Sequence, residues 1–185
     1  TSNGRLWSSY NISVLTESVC VYMIVSLGAL FVYSMGYMDI SVGAQMGVYC
    51  LLMIFIINAT GSLLLAFLAV LVLTLICGAF NGAVAVWLKL PSIVTSLFLM
   101  FLFGGIQYLL VESTGSSIVS TDFDFSFFLE PWVIIVSIVV VAAIVFYLFN
   151  FTKLGKYTRG IGANELTTSQ CGVNTTKWKV IAYMA

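Results

Sequence analysis

The sequence predicts an all-α protein, a bundle of helices that crosses a membrane several times. Of its 185 residues, 61% are hydrophobic and only 8% are charged, whereas a soluble domain carries about a quarter of charged residues to cover its surface. The apolar residues are gathered into runs close to the length of about 20 residues that a helix needs to cross the hydrocarbon layer. We therefore expect a polytopic transmembrane helix bundle embedded in the lipid bilayer.

The apolar runs predict five spans and the start of a sixth. The five lie at residues 14–38, 42–57, 62–88, 92–111 and 131–151, and the sixth begins at Val180. The second run is short and glycines surround its start, so we expect an irregular start or a helix interrupted at membrane depth, where protein or water must cover the backbone. Because the chain opens on a polar stretch and stops inside an apolar run, we expect residues 1–185 to be one transmembrane domain, incomplete at both ends.

The charges between the spans predict the orientation, since Lys and Arg of short loops stay on the cytoplasmic side. One segment, residues 152–179, gathers five of the seven basic residues: Lys153, Lys156, Arg159, Lys177 and Lys179. We expect this segment to be a cytoplasmic loop and Lys89 to mark a second inner turn. Residues 112–130 carry acidic residues without Lys or Arg, so we expect that segment outside the cell.

Several kinds of chemistry have no support in the sequence. The chain has no histidine, and its four cysteines show no CxxC spacing, so we expect no zinc site and no disulfide framework. It lacks a Gly-x-x-x-x-Gly-Lys-Ser/Thr loop, so it does not bind ATP in that way. Seven basic residues balance seven acidic ones, which gives no indication of nucleic-acid binding. We therefore expect a protein that is not an enzyme, with no catalytic residue, metal or cofactor of its own.

Polar residues within or beside the spans are the candidates for a solute path. A carboxylate near membrane depth is costly and is a functional hypothesis by default, and Asp39 lies just before the second span. Its carboxylate could instead cap that helix by accepting hydrogen bonds from backbone N–H groups. Asn81 and Gln107 could bind a hydroxylated solute or join neighbouring helices. The spacings Gly78-x-x-x-Gly82 and Gly43-x-x-x-Gly47 are typical of close helix packing in lipid.

The segment 152–179 contains the signals of a short helix. Asn164 is a favourable N-cap residue, and Gly172 can adopt the left-handed conformation that ends a helix, so we expect a helix from Glu165 to Cys171. Two turns of helix are not stable alone in water. This helix therefore needs a partner surface, either the membrane face or another protein, unless the basic residues around it serve only to set the topology.

Four segments resemble the permease subunits of bacterial sugar ABC importers, the ribose, xylose and autoinducer-2 group. They are DISVG at residues 39–43, GAFNG at 78–82, LPSIVTSL at 90–97, and the loop with TKLGKY at 152–157, GIGANE at 160–165 and CGVN at 171–174. The resemblance covers nearly the whole chain in the same order. The chain departs from the family pattern at Thr167 and Thr168, where alanines are usual, and at Cys171, where serine is usual.

The resemblance implies an ABC importer permease, a subunit of about ten helices in the cell membrane. It implies that residues 152–179 carry a coupling helix that docks on a cytoplasmic ATPase, and it assigns ATPase coupling to Gly162, Asn164, Glu165, Thr167, Thr168 and Gly172. The other implied partners are a second permease copy or close relative and an extracytoplasmic solute-binding protein. ATP hydrolysis by the partner would drive uptake of a sugar or related polar solute. The alternative is a self-sufficient secondary transporter or channel for a small polar solute.

Overall fold

The computed structural model of the chain describes residues 8–88, 91–114 and 121–185. Within them every regular element is a helix: α1 Ser9–Ser34, α2 Val42–Thr60, α3 Leu63–Trp87, α4 Ser92–Glu112, α5 Ser126–Leu129, α6 Pro131–Phe151, α7 Lys153–Ala163, α8 Glu165–Gln170 and α9 Thr175–Met184. Five of the described helices, α1, α2, α3, α4 and α6, are long and apolar enough to cross a membrane. The predicted all-α, multi-pass architecture is therefore confirmed.

The helix boundaries follow from residues that start or stop a helix. The hydroxyl of Ser62 accepts a hydrogen bond from the backbone N–H of Leu65 at 3.3 Å and begins α3. Gly61, with φ +67°, ends α2 in the left-handed conformation, which glycine adopts without steric cost. Pro131 begins α6, at a position where its missing N–H leaves no hydrogen bond unmade.

The helix ends gather at two ends of the bundle. The α8 end, as we call it, carries the last turns of α1, α3 and α6, the first turns of α2, α4 and α9, and both α7 and α8. The α5 end carries the opposite turns together with α5 and residues 121–125. The basic residues of the 152–179 segment lie at the α8 end, and the acidic residues Asp122, Asp124 and Glu130 lie at the α5 end.

The largest buried cluster lies at the α8 end. Phe31 and Met35 of α1, Val145 of α6, Ile161 of α7 and Ala182 of α9 form it, with partly buried aromatic residues around them. A second cluster, Val48 of α2 with Leu99 and Phe103 of α4, joins the second and fourth helices. Because lipid offers no hydrophobic gain for bringing helices together, such contacts act mainly through close packing.

The structure decides between the two alternatives for the second span and corrects two other expectations about the elements. The span predicted at 42–57 is a regular helix of 19 residues, Val42–Thr60, and the expected irregular start precedes it, with Gly36 at φ +78°. The last helix begins at Thr175, five residues before the expected Val180, because the side chain of Asn174 caps it. Residues 152–179 are mostly helical, since α7 and the first half of α9 join α8 there. Lys89, where a second inner turn is expected, lies outside the described residues.

Candidate functional site

The short helix α8 has the boundaries that the sequence predicts, to within one residue. Its N-cap is Asn164, whose side-chain oxygen accepts a hydrogen bond from the Thr167 N–H at 3.0 Å. The helix ends at Gln170, and Gly172 follows at φ +82°. The cap satisfies one of the free N–H groups of the first turn, and the glycine stops the helix without strain. A helix so short nevertheless depends on the contacts around it.

An ion pair joins α8 to α9. The Nζ of Lys179 lies 2.5 Å from Oε1 of Glu165, and that oxygen also accepts a hydrogen bond from the Thr175 hydroxyl at 3.2 Å. Lys179 is only 6% exposed, and its ammonium lies 5.2 Å from the ring centre of Tyr37. Burial alone would lower the pKa of Lys179, but hydrogen bonding to Glu165 and Tyr37 outweighs burial and raises the pKa. The ammonium therefore stays charged at neutral pH.

One face of α8 is free of contacts with the helices of the bundle. Leu166 is 68% exposed, and Thr167, Ser169 and Gln170 are exposed as well. An exposed leucine on a short polar helix can dock into a hydrophobic groove of a partner. Thr168 differs from these residues because it is half-buried against α7, where a methyl group on Gly160 would lie 3.2 Å from its hydroxyl oxygen.

The helix α7 holds the other side of α8 to the bundle. Gly162 of α7 lies against the end of α1, where a Cβ at this position would overlap the carbonyl oxygen of Ser34. Gly155 makes the turn from α6 to α7 equally tight, since a Cβ there would overlap the carbonyl of Phe149. Arg159 donates a hydrogen bond to that same carbonyl at 3.3 Å and lies over the Phe149 ring. The Gly162 backbone thus packs against the end of α1, although the residue itself is exposed, and the exposed residues of α8 face outward.

A cluster of polar side chains, which we call the polar cluster, lies at the start of α2. Asp39 Oδ1 accepts hydrogen bonds from the N–H and the hydroxyl of Ser41 at 2.8 and 2.5 Å, and Oδ2 accepts one from the Asn81 amide at 2.6 Å. Gln45 donates to the Ser41 hydroxyl at 2.7 Å, and Tyr49 donates to Gln45 at 2.9 Å. Ser41 and Asn81 are almost completely buried. The cluster therefore satisfies its own buried polar groups and joins α3 to the start of α2.

The structure brings two of the three solute-path candidates together. Asp39 and Asn81 are hydrogen-bonded in the polar cluster, while Gln107 lies farther along the bundle, where its amide packs against Gly47 of α2. The expected capping of α2 by Asp39 is not found. Its carboxylate binds Ser41, the residue before α2, and the structure gives α2 no side-chain cap within the helix. Asp39 also borders a cavity of about 210 Å³ shared with Gly28 and Tyr183.

The Gly78-x-x-x-Gly82 spacing serves the packing of α3 against α9. A Cβ at Gly78 would lie 2.6 Å from the carbonyl oxygen of Tyr183, and one at Gly82 would lie 2.9 Å from the Cα of Val180. The two backbones therefore touch, as small residues allow in membrane helices. The Gly43-x-x-x-Gly47 spacing does not form such a backbone contact at its first glycine, since nothing lies within 4 Å of a Cβ at Gly43.

Two features of the site escaped the sequence interpretation, and only one had a readable signal. Ser41, Gln45 and Tyr49 follow one another at intervals of four residues, which places them on one face of a helix, so this polar stripe could have been identified. The pairing of Glu165 with Lys179 had no such signal, because the two lie 14 residues apart with a turn between them. Across the described residues, no group of three or more His, Cys, Asp or Glu could hold a metal ion.

Comparison with known proteins identifies one family and several relatives. The family model described as "Branched-chain amino acid transport system / permease component" matches residues 11–185. The autoinducer 2 import system permease protein of Shigella flexneri is 28% identical over 95% of this chain and 52% of its own length. Those of Salmonella paratyphi B and Photorhabdus laumondii are 29% and 27% identical over 97% of this chain, covering 54% and 55% of their lengths.

The chain therefore spans about half the length of the curated relatives it matches. No solved structure matches it.

Proposed function

The chain belongs to the family described as the permease component of branched-chain amino acid transport systems, and we propose that it forms the membrane path of an ATP-driven importer for a sugar-like polar solute. Membership and the five spans make it a multi-pass protein of the inner membrane and a transport permease of the ABC type. The proposal adds the energy source, the partners and the solute to that statement.

The observation that carries the proposal is α8. This helix is capped at both ends, anchored to the bundle by Lys179, and free on the face that exposes Leu166. We propose that the free face docks in a groove of a cytoplasmic ATPase, so that closure of the ATPase moves the helix and the spans behind it. The anchored face then transmits the movement. In this proposal the α8 end is cytoplasmic and residues 121–130 lie outside the cell.

The site residues divide between docking and support. Leu166 and Thr167 lie on the free face, whereas Asn164 and Gly172 set the ends of the helix and Glu165 binds Lys179. We propose that Gly162 and Thr168 act indirectly, by allowing close packing of α7 on α1 and of α8 on α7.

The solute is proposed from the polar cluster and from the relatives. Asp39 borders a cavity, where its carboxylate can accept hydrogen bonds from a solute with several hydroxyl groups, and the relatives are named as autoinducer 2 permeases. Asp39 and Asn81 would line the inner part of the path and Gln107 a part farther out. The path would be completed by a second permease copy or a close relative, and the solute would arrive from an extracytoplasmic binding protein.

Transport in proteoliposomes tests the energy source. The full-length gene product is reconstituted with its cognate ATPase and binding protein, and uptake of radiolabelled solute is measured with and without ATP. We expect uptake that requires ATP and the binding protein and that disappears when the phosphate-loop lysine of the ATPase is replaced. Uptake by the permease alone, driven by a proton or sodium gradient, would refute the proposal and favour a secondary transporter or channel.

Docking on the ATPase is tested in the same complex with two variants, each at an exposed residue. Leu166→Glu places a charge on the free face of α8, and Thr176→Glu places the same charge on an exposed residue of α9 outside that face. We expect Leu166→Glu to lower the amount of ATPase that co-purifies, because a charge would replace the apolar contact that a docking helix makes with its groove. Thr176→Glu should leave it unchanged. Equal retention in both variants would exclude α8 as the docking helix.

A further inference from the structure

Lys179 differs from the other basic residues of the 152–179 segment in where its charge lies. Lys153, Lys156, Arg159 and Lys177 are exposed, as residues that set membrane orientation are expected to be. Lys179 is 6% exposed and points its ammonium at Glu165 and at the Tyr37 ring. A buried charge without a partner is strongly unfavourable. The ammonium therefore holds α9, its own helix, to α8, which carries the Glu165 carboxylate. The orientation of the chain alone does not require that arrangement.

The contacts of Lys179 connect α8 with the polar cluster along two routes. On one route its ammonium faces Tyr37, two residues before Asp39. On the other, the next turn of α9 lies in backbone contact with α3, where Val180 meets Gly82 and Tyr183 meets Gly78. Asn81, between those glycines, donates its hydrogen bond to Asp39. Both routes therefore end at the same carboxylate.

The two routes are not equally direct, since the Lys179 ammonium lies 5.2 Å from the Tyr37 ring centre whereas the second route consists of close contacts. The Lys179–Glu165 and Asn81–Asp39 distances are 2.5 and 2.6 Å, and α3 and α9 have no side chain between their backbones at Gly78 and Gly82. Closely packed elements move as rigid units and do not deform continuously. A displacement of α8 consequently carries α9 and the start of α2 with it, provided that the ion pair holds.

We propose that Lys179 is a positioning residue for transport, which holds α8 to α9 and so couples movement of α8 to the polar cluster around Asp39. The inference rests on the proposed function of α8 as the helix that docks on the ATPase. It assigns the Glu165 carboxylate, whose side chain is 46% exposed, to the contact with α9 and not to the ATPase groove. Loss of Lys179 then separates two activities that depend on α8: the ATPase still docks, but its work no longer reaches the solute path.

The test compares two lysines of the same helix in the complete complex. Lys179→Met removes the buried charge while keeping an apolar side chain of similar length, and Lys177→Met removes an exposed one two residues away. Three quantities are measured for each: the ATPase that co-purifies, the rate of ATP hydrolysis, and the solute transported per ATP. We expect Lys179→Met to retain ATPase binding and ATP hydrolysis. It should lower the solute transported per ATP by about tenfold or more, a typical size for coupling between sites. Lys177→Met should leave all three unchanged.

Two further variants separate coupling from folding. Lys179→Arg keeps the charge and should retain at least part of the transport per ATP. The exchange of charges, Glu165→Lys with Lys179→Glu, should restore part of what Lys179→Met loses, because the pair is rebuilt in reverse. If Lys179→Met does not fold, the test rests on the double variant with exchanged charges. Transport per ATP close to that of the unmodified protein would support the inference. A double variant that folds but does not couple ATP hydrolysis to transport would overturn it.

The outcomes also distinguish this inference from the proposed function. Unchanged transport per ATP in Lys179→Met, or a proportional loss of ATPase binding, hydrolysis and transport, would overturn the positioning role. In either case the ATPase still binds the unmodified permease, and the docking proposal stands. Absence of the ATPase from the unmodified, purified complex would instead overturn the docking role of α8.

Discussion

The two ends of the bundle are built in different ways. At the α8 end, the Gly162 backbone touches the end of α1, and the buried polar side chains of Lys179 and Asn81 are paired with residues of other segments. At the α5 end, exposed aromatic residues contact one another, as Phe127 does with Phe128 and Trp132. Two open clefts of about 410 and 470 Å³ lie at that end.

The proposed docking of an ATPase at the α8 end accounts for the difference in packing between the two ends. Aromatic residues are typical of the interface between membrane and water, where their rings anchor a helix without fixing its neighbours. Close backbone contacts and paired buried charges fix the relative position of helices, which is required wherever a movement is passed from one element to another. The α8 end is thus the more closely packed of the two, as the proposed transmission of movement requires, while open clefts lie at the α5 end.

Thiol labelling gives the largest expected effect, because it is all or none. In a variant without the four native cysteines, Asp124→Cys marks the α5 end and Ser169→Cys marks the α8 end, and both positions are exposed. We expect an impermeant maleimide added to intact cells to label the residue at position 124 and to reach position 169 only after permeabilisation. The reverse pattern would place α8 outside the cell, where it could not face a cytoplasmic ATPase.

Close packing is tested by adding a methyl group at matched glycines. Gly162→Ala places a Cβ onto the Ser34 carbonyl, whereas nothing lies within 4 Å of a Cβ at Gly104 in α4. We expect Gly162→Ala to lower the free energy of unfolding by about 1–3 kcal/mol, as overpacking does. Gly104→Ala should raise it by up to about 1 kcal/mol, since alanine favours the helix. Denaturant titration in mild detergent measures both, and equal values would show that the α8 end is no more closely packed.

Positive-φ glycines give a smaller and more local effect. Gly172 and Gly61 have φ of +82° and +67° at opposite ends of the bundle, and a Cβ in this conformation costs roughly 1–2 kcal/mol at either. We expect Gly172→Val to reduce the ATPase that co-purifies, because the end of α8 is distorted, and Gly61→Val to leave it unchanged. Gly172→Asn should be tolerated better, since asparagine adopts this conformation more readily. A similar loss from Gly61→Val would mean that the two ends are not independent.

The sequence by itself determined the class, most of the spans and α8. The predicted and observed limits of α6 coincide at residues 131 and 151, and those of α3 differ by one residue at each end. These features depend on local properties, namely the length of an apolar run and the residues that start or stop a helix. The same is true of α8, whose limits follow from Asn164 and Gly172.

The helix α7 shows where such local reasoning stops. Three of its 11 residues are glycines, Gly155, Gly160 and Gly162, and glycine lowers helix propensity by about 1 kcal/mol relative to alanine. The sequence therefore favoured a loop. Tertiary packing reverses this preference, because two of those glycines let α7 turn sharply after α6 and lie against α1.

Only the tertiary structure decided which polar groups meet. Asp39 and Asn81 lie 42 residues apart, and Glu165 and Lys179 lie 14 apart, so no helical period brings either pair together. The first pairing depends on how the start of α2 lies against α3, and the second on how α8 lies against α9. In a bilayer nearly every span is apolar, and apolar pattern alone does not specify neighbours. The buried hydrogen bonds and the close contacts supply that specificity, and both exist only once the helices have assembled.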